Sequence, residues 1–187
     1  MTHTGGKLEA YASLVREWAP RVDLISPGDL PRLQERHIDD CLRLLPLCDE
    51  LEAGPAVDVG TGAGLPGIVM AAARPLRLWR LLEPRSKKVA FLELVVRELD
   101  LANVEIYPVT AQEAAAHRNL RGAQVLAVSR ALAPPLQSLA WLRPLVSPGG
   151  SVAVFVGKTA EIPPGAQEWA RGLIVERRGQ EGTHGNL

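Results

Sequence analysis

The chain has 187 residues, 47% hydrophobic and 22% charged, which suits one domain with a proper core and excludes both wholesale disorder and a coiled coil. Lys plus Arg and Asp plus Glu each number 21, so the net charge is zero, and coating a polyanion by bulk charge is excluded because neutralising phosphates needs surplus cations. Two cysteines and four histidines are too few for a disulfide framework or a structural zinc site. With no apolar run long enough to cross a bilayer and no signal-peptide core, the expectation is a cytoplasmic globular protein.

Taken in chain order, residues 1–54 read as a helical extension. Leu8, Tyr11, Ala12, Val15 and Trp18 recur at helical spacing, which predicts an amphipathic helix over residues 7–19. Ser26-Pro27-Gly28-Asp29 breaks it, and Asp29 is placed to cap a second helix whose apolar positions are Leu33, His37, Cys41, Leu44 and Leu45. Pro46 is expected to end or bend that element. Cys41 and Cys48, seven apart, would share one helix face in the core.

From residue 55 to 178 the rhythm changes. Apolar runs at 56–59, 78–82, 104–107, 124–128 and 151–156 alternate with helical stretches at 66–73, 86–99, 111–117 and 134–142. Such alternation predicts an open α/β sheet of Rossmann-like type, mostly parallel and covered by helices on both faces. Ser147-Pro148-Gly149-Gly150 reads as a tight turn into the fifth strand, residues 173–176 as a sixth strand, and 179–187 as a polar tail.

The first strand runs into Val57-Asp58-Val59-Gly60-Thr61-Gly62-Ala63-Gly64-Leu65-Pro66-Gly67. A dinucleotide site needs its first glycine at the strand end, with the phosphates over the next helix. Here Gly60 closes the strand two residues after Asp58, whose negative charge disfavours phosphate and favours a cation. Glu83 ends the second strand, where a carboxylate can hold both hydroxyls of a ribose. A ribose, a positive end and no phosphate together describe S-adenosylmethionine. Ala111 and Gln112, after the third strand, are placed to bracket an adenine. Arg130, at the end of the fourth, is placed either to hold the carboxylate of the methionine part or to grip a substrate phosphate. Arg36 and His37 on the second helix are ambiguous, since a lone histidine at helical spacing is usually structural.

Charge is uneven. Residues 1–60 carry six Lys/Arg against eleven Asp/Glu, whereas residues 74–97 carry seven basic residues against Glu83 and Glu93. On charge alone this window is an ordinary solvated face, and in the right company it is a site for an anionic partner.

Together these residues resemble the RsmG (GidB) family of bacterial methyltransferases that act on guanine N7 in small-subunit (16S) ribosomal RNA. The likeness runs from Trp18 to Lys158. It rests on Trp18-Ala19-Pro20-Arg21-Val22-Asp23-Leu24, Arg36-His37-Ile38-Asp39-Asp40, the stretch from Val57 to Ile68, Leu81 to Leu92, and Ser129-Arg130-Ala131-Leu132-Ala133. The resemblance implies a methyltransferase domain at 55–178, with Gly60, Leu65, Ala111, Gln112 and Arg130 where the family holds S-adenosylmethionine; the loop and strand ends add Asp58, Gly62 and Glu83 to the expected cofactor site. The resemblance also implies ribosomal RNA or the small ribosomal subunit as partner, met at Arg36, His37, Arg85, Lys87 and Lys88, with Arg36, His37 and Arg130 as candidates for a catalytic part. A monomer and no metal are expected.

Several positions depart from the family pattern. Glu83 stands for an aspartate, Gln112 for an acidic residue, Cys41 for a serine and Asp23 for an asparagine. Val156 stands where a lysine is expected, with Lys158 two residues later, and the terminal antiparallel hairpin is expected to be incomplete. Two other readings share parts of this pattern. A methyltransferase acting on a small molecule would use the glycine loop and Glu83 without the basic window. A truncated relative would bind RNA without turnover.

Overall fold

The computed structural model describes residues 4–157 and 159–179, so Lys158 and all but the first residue of the polar tail lie outside the described residues. Helix α1 (Thr4–Trp18) buries Leu8, Tyr11, Ala12 and Val15, the stripe its periodicity predicts. The second predicted helix is broken into pieces. A 3-10 turn (Leu30–Arg32) leads into a π-helical turn (Gln34–Ile38), then α2 (Asp39–Leu42) and α3 (Leu45–Glu50). Asp29 makes no side-chain cap; its carboxylate accepts from Ser26 Oγ at 2.8 Å and Arg36 Nη1 at 2.5 Å instead. Pro46 lies in the first turn of α3, where its missing N–H costs nothing. Both cysteines are buried and free, but on different helices and in different parts of the core, so they share no helix face.

The α/β part follows with β1 (Ala56–Val59), α4 (Gly67–Ala73), β2 (Trp79–Leu82), α5 (Ser86–Glu98), β3 (Val104–Tyr107), α6 (Ala111–Ala116), β4 (Gln124–Arg130) and α7 (Pro135–Leu142). Then come β5 (Val146–Phe155), β6 (Gln167–Ala170) and β7 (Leu173–Arg177). The sheet order is β3-β2-β1-β4-β5-β7-β6, parallel through β5, with β7 antiparallel to both β5 and β6. The order reverses between β1 and β4, which opens a crevice at their carboxyl ends.

Two expectations about the second half are corrected. Residues 147–150 are not a turn ahead of the strand: β5 already pairs at Val146 with Gln124, and the segment bulges before pairing resumes at Ser151 with Leu126. Gly150 permits this, because a Cβ there would stand 2.8 Å from the Val125 carbonyl oxygen. The terminal hairpin is also complete, since β6 pairs with β7 and β7 with β5 along Ser151–Phe155. The edge strand β6 escaped the sequence reading because Gln167-Glu168-Trp169-Ala170 carries no run of apolar residues to mark it.

Strand alternation decides which side chains meet which helices. On one face, Leu81 packs with residues of α1, α2, α4 and α5, including Tyr11, Cys41, Ile68, Phe91 and Leu92. On the other, Val57, Val59 and Leu82 pack with Ala111, Ala114, Leu139 and Leu142 of α6 and α7. The helical extension is therefore part of the sheet's cover on the face that also carries α4 and α5.

Candidate active site

The glycine loop leaves β1 through two residues that only glycine adopts readily. Gly60 has φ +69° and Gly62 φ +59°, in the left-handed region. A Cβ on Gly60 would stand 2.6 Å from Leu132 Cδ1, so the loop is also pressed against the chain leaving β4. From the opposite side α1 holds the loop: the buried Tyr11 hydroxyl donates to the Ala63 carbonyl at 2.9 Å.

Asp58 does not face the crevice. It pairs in register with Leu81 and Val128, and its fully buried side chain points at the start of α4. One carboxylate oxygen accepts from the Thr61 hydroxyl and, at 2.8 Å, from the Gly67 amide, so the residue folds the loop onto the helix. Burial pushes its carboxyl up to about 7, against the pull of those two donors. The negative charge that the sequence reading set against phosphate is therefore only partly present at neutral pH. Strand alternation is the physical reason: the penultimate residue of β1 is a helix-facing position here.

Glu83 does reach the crevice, although it is only 4% exposed. Its two oxygens accept from the backbone amides of Gly62 (3.1 Å) and Arg85 (3.0 Å), which fix the carboxylate without a charged partner. It thereby joins the ends of β1 and β2 around a cavity of about 400 Å³, lined also by Gly60, Gly62, Leu65, His37, Arg85, Lys88, Arg130 and Leu132. That volume is in the range of small-molecule sites, about 300–1,000 Å³. An anchored carboxylate with lone pairs to spare, beside two glycines that keep the cavity wall free of side chains, suits the ribose of S-adenosylmethionine, and the residues present fit that group.

The predicted residues are not all brought together. Ala111 and Gln112 open α6 at the next strand end, where Thr110 and Glu113 form a capping box, and they do not line the cavity. The basic group is divided. Lys88 and Arg85 stand in the cavity wall, and the Lys88 ammonium lies 4.0 Å from where a Gly62 Cβ would be. Lys87 is absent from that wall and lines an outer groove with Val22, Asp23 and Ser86, a groove that Arg85 and Lys88 line too.

His37, Arg130 and Ala131 separate this cavity from a second one of about 840 Å³. His37 sits on the π-helical turn, an irregularity common at functional sites, and its buried Nε2 has no hydrogen-bond partner among the described residues. Burial, reinforced by Arg130, keeps it below its ordinary pKa, so it is neutral at pH 7. Arg130 donates to the Arg36 carbonyl at 2.7 Å and lies 3.5 Å from Asp40. Ala131 follows with φ +53°, a strained conformation for a residue with a Cβ. Sequence reasoning missed Arg32, Arg43 and Arg171 in the second cavity. Arg32 and Arg43 stand four residues before and seven after Arg36, a one-face spacing that would have found them; Arg171, in a hairpin turn, carries no such signal.

Comparison with known proteins agrees with this geometry. Residues 5–169 match GidB, described as rRNA small subunit methyltransferase G. The chain belongs to the GidB family. It is 39% identical over 168 residues to the ribosomal RNA small subunit methyltransferase G of Granulibacter bethesdensis, covering 89% of this chain and 75% of that protein. Among solved structures, a Corynebacterium glutamicum protein matches with a TM-score of 0.64 at 16% identity, over 94% of this chain and 92% of that one. A Geobacter sulfurreducens methyltransferase matches with a TM-score of 0.58 at 13% identity, over 93% and 88%. These two likenesses are of fold, the Rossmann-like sheet of methyltransferases, which this GidB-family chain shares. Among the described residues no helix is long and apolar enough to cross a membrane.

Proposed function

We propose that this chain transfers a methyl group from S-adenosylmethionine to N7 of a guanine in small-subunit ribosomal RNA, acting in the cytoplasm where that RNA is. The observation that carries the reading is the Glu83 carboxylate fixed by two backbone amides over the glycine loop, in a cavity that shares a wall with an arginine-lined one. Family membership supplies the substrate class.

Bound S-adenosylmethionine supplies a methyl group on a positively charged sulfur. Glu83 is assigned to the ribose hydroxyls, and Gly60 and Gly62 let the backbone come close to the cofactor. Arg130 is assigned to the carboxylate of the methionine part, with a planar fork that can bind it in two places. Arg36 and the His37 of the shared wall are assigned to the RNA. Guanine N7 carries an in-plane lone pair and needs no deprotonation, so alignment of the two partners can supply the catalysis. The neutral His37 is suited to positioning by hydrogen bonding rather than to repelling a base that gains positive charge.

The test is to incubate the purified chain with methyl-labelled S-adenosylmethionine and small-subunit RNA, naked or in assembled subunits, and digest to nucleosides. Label in 7-methylguanosine is expected. Label in another nucleoside, or none in either substrate, would overturn the reading.

A further inference from the structure

The second cavity shares only His37, Arg130 and Ala131 with the glycine-loop cavity, and its walls come from distant parts of the chain. Arg32, Arg36 and Arg43 come from the helical extension, Arg130 from the end of β4, and Arg171 from the turn between β6 and β7. These five arginines face two carboxylates, Glu35 and Asp40. Arg32 is engaged by Glu35 and Arg36 by Asp29. Asp40 must serve both Arg43, through Nη1, and Arg130. Arg43 Nη2 is left buried with no hydrogen-bond partner among the described residues. Arg171 is exposed and makes no ion pair or hydrogen bond among them, so its guanidinium stands ready for a ligand.

A buried donor without an acceptor, as at Arg43 Nη2, is costly, and it persists where a ligand supplies the missing acceptor. An anionic acceptor suits the cavity best, because Glu35, Asp40 and Asp29 together leave the five arginines with an excess of positive charge. A guanidinium fork matches phosphate oxygens in pairs. Among the lining residues the aromatic rings are the buried Phe155 and His37 in the shared wall, against five arginines, a lining that favours gripping a backbone over stacking bases. Gly172 brings the Arg171 turn against Arg43, since a Cβ at Gly172 would stand 3.9 Å from Arg43 Nη2.

Building on the methyl-transfer reading, we propose that Arg43 and Arg171 clamp a phosphodiester of the RNA strand next to the target guanine, across the His37–Arg130 wall from the cofactor. Electrostatic neutralisation of phosphate predicts the signature: log affinity falls with log salt by about 0.7–0.9 for each phosphate contacted.

The experiment measures binding of small-subunit RNA by Arg43→Gln, Arg171→Gln and the double variant across a potassium chloride series, beside calorimetry with S-adenosylmethionine. The double variant is expected to bind RNA about tenfold more weakly with a salt slope shallower by roughly one to two units, and cofactor affinity within about twofold of the parent. Arg171→Gln breaks no contact within the described residues, so it reads the clamp even if Arg43→Gln disturbs Asp40. Arg118→Gln, an exposed charge beyond α6, controls for mere charge loss and should keep the parent slope. An unchanged slope in both Arg171→Gln and the double variant would overturn the clamp. A slope that falls equally in Arg118→Gln would overturn it too. If the parent methylates small-subunit RNA while the slopes stay flat, the clamp fails alone. If the slopes respond but no methyl is transferred, the functional reading fails and the clamp stands. Polyglutamate that binds the parent as tightly as RNA of equal charge, and the double variant far more weakly, would assign the arginines to an acidic peptide instead.

Discussion

The Tyr11 hydroxyl donates to the Ala63 carbonyl at 2.9 Å, so the first helix of the chain holds the loop on which the cofactor is expected to rest. Fifty-two residues separate the two in sequence, and both are buried. Burial raises the phenol's pKa well above its ordinary value, so it remains a donor throughout the physiological range. Removing this one oxygen therefore asks how far the extension serves the site and how far it only covers the sheet.

Tyr11→Phe leaves the Ala63 carbonyl without that donor, at an expected cost of about 1–3 kcal/mol in urea denaturation. Because the carbonyl belongs to the glycine loop, S-adenosylmethionine affinity should fall as well. A variant that loses stability but binds cofactor like the parent would confine the contact to a packing role.

Gly60→Ala combines a strained φ with a collision against Leu132 Cδ1. Cofactor binding, followed by calorimetry, should fall below detection while circular dichroism shows an intact fold. Adding Leu132→Ala removes the collision but not the strain of a left-handed alanine, about 1–2 kcal/mol, so the double variant should recover binding in part. Full recovery would reduce the glycine to a matter of space. No recovery would show that the backbone conformation decides.

Much of this site was legible because strands end where ligands bind. Gly60, Glu83 and Arg130 could each be read as the residue closing an apolar run, and the structure gathers all three around one cavity. Asp58 was legible as special but not in its direction, since strand alternation turns it toward Gly67 and not toward the crevice. Lys87 and Lys88 look equivalent in sequence, yet adjacent helical positions point about 100° apart, and only Lys88 lines the cofactor cavity. The broken second helix and the strand β6 were hidden for a different reason. Their form depends on packing against partners far along the chain, which a local pattern does not carry.

Asp58 predicts a pH dependence whose sign follows from its raised pKa. Between its ordinary value of 3.8 and about 7 in the fold, the native state keeps a proton that the unfolded chain has released. The stabilisation is full below about pH 4, shrinks as pH rises through that window, and is gone above about pH 7, with a slope of at most about 1.4 kcal/mol per pH unit. Asp58→Asn keeps an acceptor for Thr61 and Gly67 but cannot titrate. Subtracting its urea-derived stability from the parent's between pH 4 and 8 should show that slope. Parallel curves would mean that Asp58 is charged throughout.

Arg130 is the sharpest test of the site. Its fork points three ways, donating to the Arg36 carbonyl, lying 3.5 Å from Asp40 and 3.9 Å from Cys41 Sγ, while it lines both cavities. A lysine brings the charge but not the planar geometry, so it cannot hold the extension and a bidentate carboxylate together. On the cofactor reading, Arg130→Lys should weaken S-adenosylmethionine binding by about 1–3 kcal/mol, the worth of a charge-assisted hydrogen bond, and leave RNA affinity without cofactor nearly unchanged. Intact cofactor binding with lost RNA affinity would move Arg130 to the substrate side of the wall. Were both affinities and the rate of methyl transfer to match the parent, Arg130 would serve only to join β4 to the extension, and the methyl-transfer centre would have to be sought deeper in the glycine-loop cavity, toward Glu83.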